Sequence, residues 1–387
     1  MKSFILPPSK SRKVQELKIE KIEPFLVDRW LLVRVYTDED LVGNGEAGLW
    51  AHHKMVYEAI REFSQYYIGK DPTRIEHHWQ AVSRNTHFMG SVLSAAISAI
   101  DIALWDIVAK SVNLPVYGLL GGKCRDKVRV FSNVTGETLE QLVESASKSV
   151  KQGFTALRVT PFARDTTMQT PTKVIKTAVE MVRAIRESVG HDVDLGVEIH
   201  RNLSPGEAVI LARELEPYGL FFYEDPVGPE SIDALDYVAR HVNIPIATGE
   251  RFYNMWQFKE IIDKKTVGLI RPDISLAGGF THCKKIAALA EASFVSIFPH
   301  LMGSPVNTAA QVQLDAAIPN YVLQESNIVK PPLSEIVDQP VRLEKGYMIV
   351  PDRPGIGVEV NEDALAKYPY RHRKITGDFY EDGSVAH

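Results

Sequence analysis

Apolar and polar residues alternate with a period of two along residues 17–26 and 30–37, and the turn-forming Asp38-Glu39-Asp40 leads into a third run through Gly43 to Glu46. Such alternation, broken by turn residues, predicts an antiparallel meander. Over residues 94–111 the period changes: Ile97, Ile100, Leu104 and Ile107 fall at helical spacing, and Asn113 and Pro115 end the helix. From Lys127 onward short β-rich runs alternate with amphipathic helical stretches. The runs cover residues 128–134, 156–160, 194–200, 220–224, 245–249, 269–272, 294–299 and 321–324. The intervals read as helices over residues 139–152, 172–189, 204–215, 232–241, 256–264, 281–292 and 304–318.

Eight strands joined by helical crossovers is the number at which a parallel sheet closes into a barrel with a filled interior. A doubly wound open sheet is the alternative, but no Gly-rich dinucleotide fingerprint supports it. The Gly122-Lys123 pair is no phosphate loop either. Tyr117 stands where the first glycine is needed and Cys124 where Ser or Thr belongs. At 387 residues the chain has room for a barrel of about 250 residues and a smaller partner domain. The expected division is an α+β domain over residues 1–125, a barrel over 126–335 and a C-terminal segment over 336–387 with a hairpin near 346–350.

Three of the runs end in an acid: DLGVEIH at Glu198 and His200, LFFYEDP at Glu224 and IPIATGE at Glu250. The glutamates are spaced by 26 residues each time, the length of one strand, helix and return. That repeat predicts three carboxylates at the C-terminal tips of neighbouring strands, the rim where barrel enzymes do chemistry. Converging carboxylates need a cation between them, and hard oxygen donors without cysteine point to Mg²⁺ or a similar ion. Strand alternation places His200 on the same side as Glu198. Further round the rim, RPDIS brings Asp273, FPH brings His300 and LQES brings Glu325. An Asp beside a His fixes the imidazole tautomer and keeps it basic. Arg158 and Thr160 end the second run. Arg158 cannot act as a base; it either binds substrate oxygens or pairs with Glu198 or Asp225.

Composition narrows the classes. Apolar content of 45% and charge of 24% are those of a globular protein with ample core. A net charge of −5 without a basic stripe gives nucleic acid no electrostatic footing. Cys124 and Cys283 are too few for a disulfide framework. No apolar run approaches a membrane span, and the first residues lack a secretory pattern, so no membrane partner and a cytoplasmic location are expected.

Taken together, the helix IDIALWDIVAKSVNLPVYGLLGG, the VEIH, FYEDP and TGER tips, RPDISLAGG, FPH and LQES resemble the enolase superfamily, in its mandelate racemase branch. Within that branch the chain is most similar to galactonate dehydratase and related acid-sugar dehydratases, which also carry a His two residues after the first ligand and end like EDGSVAH. The resemblance implies an α/β fold, a (β/α)7β TIM-like barrel with an α+β capping domain built from the N-terminal part and the C-terminal tail. It implies one Mg²⁺ on Glu198, Glu224 and Glu250, a small-molecule sugar-acid substrate and a homo-oligomer. His300, paired with Asp273, would remove the proton next to the carboxylate. His200 would protonate the departing hydroxyl, and Glu325 would hydrogen-bond the carboxylate. Substrate selection would fall to loops near Arg29-Trp30 and Thr86 to Ser91, although surface and core roles for Arg29 and Trp30 are the equal alternative.

The chain departs from the pattern at three places. Relatives with two lysines on the second strand have Arg158 and Thr160 here, which removes the lysine base of a two-base racemase. The first ligand is Glu198 where relatives usually have Asp, and Arg201-Asn202 stands where galactonate dehydratase has Gly-Arg. Two other readings stay open: an epimerase or racemase of a hydroxy acid using His200 and His300, and a catalytically inactive relative with a binding role.

Overall fold

A computed structural model of the chain describes residues 17–162, 166–326, 329–374, 377 and 379–385. Strands β1 (Ile19–Val27), β2 (Trp30–Thr37) and β3 (Val42–Ala47) form the antiparallel meander. Helices α1 (His53–Tyr67), α2 (Ile75–Asn85) and α3 (Ser91–Ser111) pack on it. The apolar residues read at helical spacing, Ile97, Ile100, Leu104 and Ile107, are all buried. Strand β3 lies directly on α3: a Cβ at Gly43 or Gly45 would stand 2.0 Å from the carbonyl oxygen of Ala103 or Ala99. Only glycine allows that approach. By length and composition α3 could cross a membrane, contrary to the sequence expectation that no stretch qualifies. Most of it is buried inside the protein, as expected for the central helix of a core.

After the short helix α4 (Val116–Leu119), eight parallel strands follow: β4 (Lys127–Val134), β5 (Ala156–Val159), β6 (Asp194–Glu198), β7 (Phe222–Glu224), β8 (Ile246–Thr248), β9 (Leu269–Ile270), β10 (Ser296–Ile297) and β11 (Gln324–Glu325). Each pairs with its neighbour in chain order up to β10, β11 pairs with β4, and Tyr321 bridges to Ile297. The ring is therefore closed. Helices α5 (Leu139–Lys151), α6 (Pro171–Val189), α7 (Pro205–Leu215), α8 (Ile232–His241), α9 (Met255–Asp263), α10 (Gly279–Glu291) and α11 (Pro305–Ala317) alternate with the strands. Two apolar layers result, one between strands and helices and a smaller cluster around Phe131, Phe222 and Phe298. Phe222 and Phe298 stand 4.7 Å apart between ring centroids and plug the barrel.

The C-terminal segment returns across both parts. Its hairpin, β12 (Leu343–Glu344) and β13 (Tyr347–Ile349), adds an antiparallel strand to β4. Helix α12 (Glu362–Leu365) brings Glu362 onto Arg34, and Glu359 pairs with Lys110 of α3 at 2.6 Å. The meander and α3 in turn sit over one sector of the barrel mouth. The Gly48 amide donates to Ser275 O at 2.9 Å, the Ser94 hydroxyl to Leu276 O at 2.8 Å, and the Trp105 indole to the Thr281 hydroxyl at 3.0 Å. This seating encloses a cavity of about 780 Å³ between cap and strand tips.

Candidate active site

The strand register explains why the three glutamates meet. Glu198 lies opposite Glu224 in the β6–β7 pairing, and Glu250 follows β8 by two residues. One carboxylate oxygen from each lies within 4.8 Å of the others, so a single ion can be shared. Glu198 and Glu224 are buried, and Glu250 is partly so. Burial, and then the charges of Glu224 and Asp225, push the Glu198 carboxyl well above its usual range. Three hard oxygen donors whose mutual repulsion a dication would relieve fit Mg²⁺.

Three arginines are built into the same rim. Arg158 Nη1 lies 3.0 Å from Glu224 Oε1 and 3.5 Å from Glu198, while its Nη2 donates to Glu325 at 2.8 Å. Of the two partners expected for Arg158, Glu198 is therefore met; Asp225 pairs instead with Arg201. Arg271, with 0% exposure, pairs with Glu224 at 2.9 Å and donates to Glu325 at 3.0 Å. Both guanidiniums rest on the aromatic plug, Arg158 over Phe131 at 4.7 Å and Arg271 over Phe298 at 4.2 Å. Arg201 bridges Asp225 at 2.6 Å and Glu250 at 2.7 Å. Glu325 also accepts from the Leu301 amide. Against the burial that would raise it, the two arginines and His300 hold the Glu325 carboxyl below its usual range. Glu325 also lines the cavity, where the resemblance has it meet a substrate carboxylate.

His300 Nδ1 is 2.8 Å from Asp273 Oδ2, and its Nε2 faces Glu250 at 3.8 Å. Asp273 is itself held by the Ser275 amide at 2.8 Å and hydroxyl at 2.5 Å. Burial alone would lower the imidazole; the Asp273 hydrogen bond and the Glu250 charge outweigh it and hold His300 up at about 9. His200 also lines the cavity, but not by strand alternation. Strand β6 ends at Glu198, and His200 and Arg201 take positive φ values of 53° and 64°. The chain bends sharply there, and the His200 amide returns to Glu198. Burial and the Arg201 charge lower the His200 imidazole.

Arg29 in the β1–β2 turn and Trp30 at the start of β2 line the cavity. Trp30 is only 2% exposed and belongs to the core, and the Arg29 guanidinium lies 5.5 Å from its ring. Thr86 requires a correction. It does not line this cavity, and its hydroxyl donates to Val82 O at the end of α2. Sequence reasoning assigned no role to Arg201, Arg271, Ser275 or Glu46. Arg271 and Ser275 lie inside the RPDIS segment, and Arg201 directly follows His200, so their positions beside predicted site residues were the available signal.

Comparison with known proteins accords with this arrangement. The model for the Mandelate racemase / muconate lactonizing enzyme N-terminal domain matches residues 25–121, and the Enolase C-terminal domain-like model matches residues 141–364. The chain belongs to the mandelate racemase / muconate lactonizing enzyme family. The D-galactonate dehydratase of Pectobacterium atrosepticum is 35% identical over 385 residues, covering 96% of this chain and 100% of that protein. The D-galactonate dehydratase of Ralstonia pickettii is 36% identical over 356 residues, covering 89% and 93%. Among solved structures, an enolase from Pantoea ananatis with bound d-gluconate and Mg superposes with a TM-score of 0.90 at 31% identity, covering 96% of this chain and 100% of that one. An enolase from Agrobacterium radiobacter with bound Na and L-malate gives 0.90 at 31% identity, covering 95% and 99%.

The family fold carries the carboxylates, and the arginines are this site's counterweight to them. In Arg158→Met, Glu198, Glu224 and Glu325 face one another with that guanidinium gone. The expected cost is about 3 kcal/mol, the scale for breaking a buried ion pair. Saturating Mg²⁺ should restore part of it, because the ion binds only the folded chain and supplies charge where the arginine did. Thermal melts with and without Mg²⁺ read both effects. A variant as stable as the parent, with no larger response to Mg²⁺, contradicts this role.

Proposed function

We propose that the chain is a Mg²⁺-dependent hydro-lyase of an acid sugar, an aldonate or similar compound. It removes the proton α to the carboxylate and eliminates the β-hydroxyl, giving a 2-keto-3-deoxy acid. The observation that carries the reading is one cavity in which the Glu198, Glu224 and Glu250 carboxylates share a centre and the Asp273-bound imidazole of His300 faces it. Homology supports the substrate class, since the two curated relatives above are D-galactonate dehydratases and the Pantoea ananatis structure holds d-gluconate and Mg.

Bound on the three glutamates, Mg²⁺ would hold the substrate carboxylate, offset charge that builds there as carbon loses its proton, and lower His300 towards its neutral form by neutralising Glu250. The roles of the chain's own residues follow. Neutral His300, oriented through Nδ1 by Asp273, takes the α-proton on Nε2. His200, two residues beyond β6, gives a proton to the β-hydroxyl, which leaves as water; the step needs its imidazolium, which the negative charge of the bound substrate would favour against the burial and the Arg201 charge that lower it. The enol product then takes a proton at the β-carbon and releases its hydroxyl proton to solvent, becoming the keto acid. Glu325 holds Arg158 and Arg271 at the floor of the site, and Arg29 at the rim meets the distal hydroxyls.

The substrate itself is found by incubating the Mg²⁺-loaded protein with a panel of aldonates and aldarates and assaying 2-keto acid. At least one member should be converted, and chelation should abolish the conversion. Galactonate belongs in the panel without priority, because Arg201-Asn202 alters the rim. Exchange of the α-proton for deuterium in D₂O without loss of water would instead favour an epimerase, a reading kept because both histidines line the same cavity.

A further inference from the structure

We infer that Glu46, a residue of the capping sheet, is a positioning residue for the imidazole of His300. The inference rests on the reading of His300 as the base. Glu46 stands on β3, is 1% exposed, and has no part in the chemistry proposed above. Its carboxylate accepts hydrogen bonds at the first turn of the barrel helix α11. The donors are the Ser304 amide at 2.8 Å, the Ser304 hydroxyl, and the Asn307 amide at 3.0 Å. These donors lie on the N-cap residue and in the first turn, where backbone amides lack helical partners and an anion is favoured. The capping carboxylate thus comes from the other domain.

Two consequences follow for His300. Ser304 is four residues beyond it, so the grip on Ser304 anchors the far end of the loop that carries the imidazole. Asn307, anchored by the same carboxylate, sends its side-chain amide to the Ser275 hydroxyl at 3.1 Å. Ser275 donates onward to Asp273 Oδ1 at 2.5 Å, and Asp273 Oδ2 meets His300 Nδ1 at 2.8 Å. The path from cap to imidazole is therefore continuous: Glu46, Asn307, Ser275, Asp273, His300. The chain presses on it a second time just after β3, at Gly48, whose amide donates to Ser275 O and where a Cβ would stand 1.9 Å from Ser275 Oγ. A continuous hydrogen-bonded path that ends on the Asp273 carboxylate restricts the rotamer of its last member. Small errors in that rotamer act on turnover, because the base must sit in line with one C–H bond.

The test uses the full chain with Mg²⁺ and the substrate found by the panel. Burial pushes the Glu46 carboxyl up to about 7 against the Ser304 and Asn307 hydrogen bonds that lower it. Glu46→Gln turns one of its two accepting oxygens into a donor facing those amides, and kcat should fall about ten- to hundredfold, the range for residues that orient a reacting group through another. KM and the Mg²⁺ affinity should stay within about twofold of the parent. Asn307→Ala keeps the grip of Glu46 on the backbone, cuts the path at Ser275, and should lower kcat alone in the same way. It carries the test if Glu46→Gln does not fold. The double variant should be no slower than the slower single variant. A second readout needs no substrate: the Nδ1 proton of His300 in histidine-labelled protein should resonate downfield in the parent and shift in both variants. If that signal shifts while no acid sugar is turned over, the proposed function fails and the positioning role stands. If turnover is found and kcat stays within twofold in the variants, or only KM or Mg²⁺ affinity changes, the positioning role is overturned.

Discussion

His300→Asn is expected to lower kcat on the acid-sugar substrate by about 10³-fold or more, with Mg²⁺ affinity not weakened. General base catalysis is worth about 10²- to 10⁴-fold. The upper part of that range applies because His300 is the group that Asp273 orients and that faces the carboxylate cluster. Asparagine cannot accept the proton, yet it can keep a hydrogen bond to Asp273 and approximates the shape of the ring. None of the three metal-holding carboxylates is altered, and Mg²⁺ binding by calorimetry should show it. Single-turnover measurements on substrate deuterated at the α-carbon add a second check, since slowed proton removal should bring out a primary isotope effect. Turnover at the parent rate in His300→Asn would mean that another group is the base.

Glu250→Gln is expected to weaken Mg²⁺ binding by about 100-fold or more and to take turnover down at least as far, since ligand loss exceeds the 10- to 100-fold typical of outer-shell partners. Glu250 differs from the other two glutamates in its surroundings. Burial would raise its carboxyl, but His300, Arg201 and Arg271 reverse this and hold it well below the ordinary range. Its carboxyl is thus held towards the charged form that a dication prefers. Replacing it by an amide removes a charged ligand and leaves Arg201 with Asp225 alone. It also removes one of the charges that raise His300. Calorimetry of Mg²⁺ binding measures the first effect directly. Binding as tight as the parent's would place the ion elsewhere.

The sequence and the structure agree most closely where periodicity carried the reading. Eight runs of β-rich residues became eight strands in the expected order, and the 26-residue repeat brought the three glutamates to one end because equal βα units return the chain to equivalent tips. The helix ends were also legible. Ser204 and Glu207 form a capping box with Pro205 in the first turn, at the serine where the sequence places the helix start. The extents of the strands were less so. β9, β10 and β11 have two residues each, because only the part of an apolar run that meets both neighbours keeps a ladder.

The site was legible at the strand tips and lost wherever the backbone left strand geometry. His200 reaches the cavity through two successive left-handed residues, a conformation that no alternation rule anticipates at His-Arg. The same bend carries Arg201 onto Glu250, 49 positions away in the chain. Arg271 and Arg158 read from sequence as strand residues. Their joint hold on Glu224 and Glu325 depends on which sides of the closed ring they occupy. Glu46 lies 258 residues from Ser304 in sequence. Nothing local marks such a pair. Thr86 shows the opposite failure: the end of α2 keeps its hydroxyl, whereas Ser91 at the far end of the same loop does line the cavity.

The shared ion at the three glutamates is the claim on which the chemistry depends, and anomalous diffraction from crystals soaked in Mn²⁺, a scatterer that substitutes for Mg²⁺, tests it most directly. The account predicts one strong peak at the barrel mouth, about 2.0–2.3 Å from an oxygen of each of Glu198, Glu224 and Glu250, with His300 beside it and not bound to it. A peak reached by only one of these carboxylates, or found away from the mouth, would contradict it.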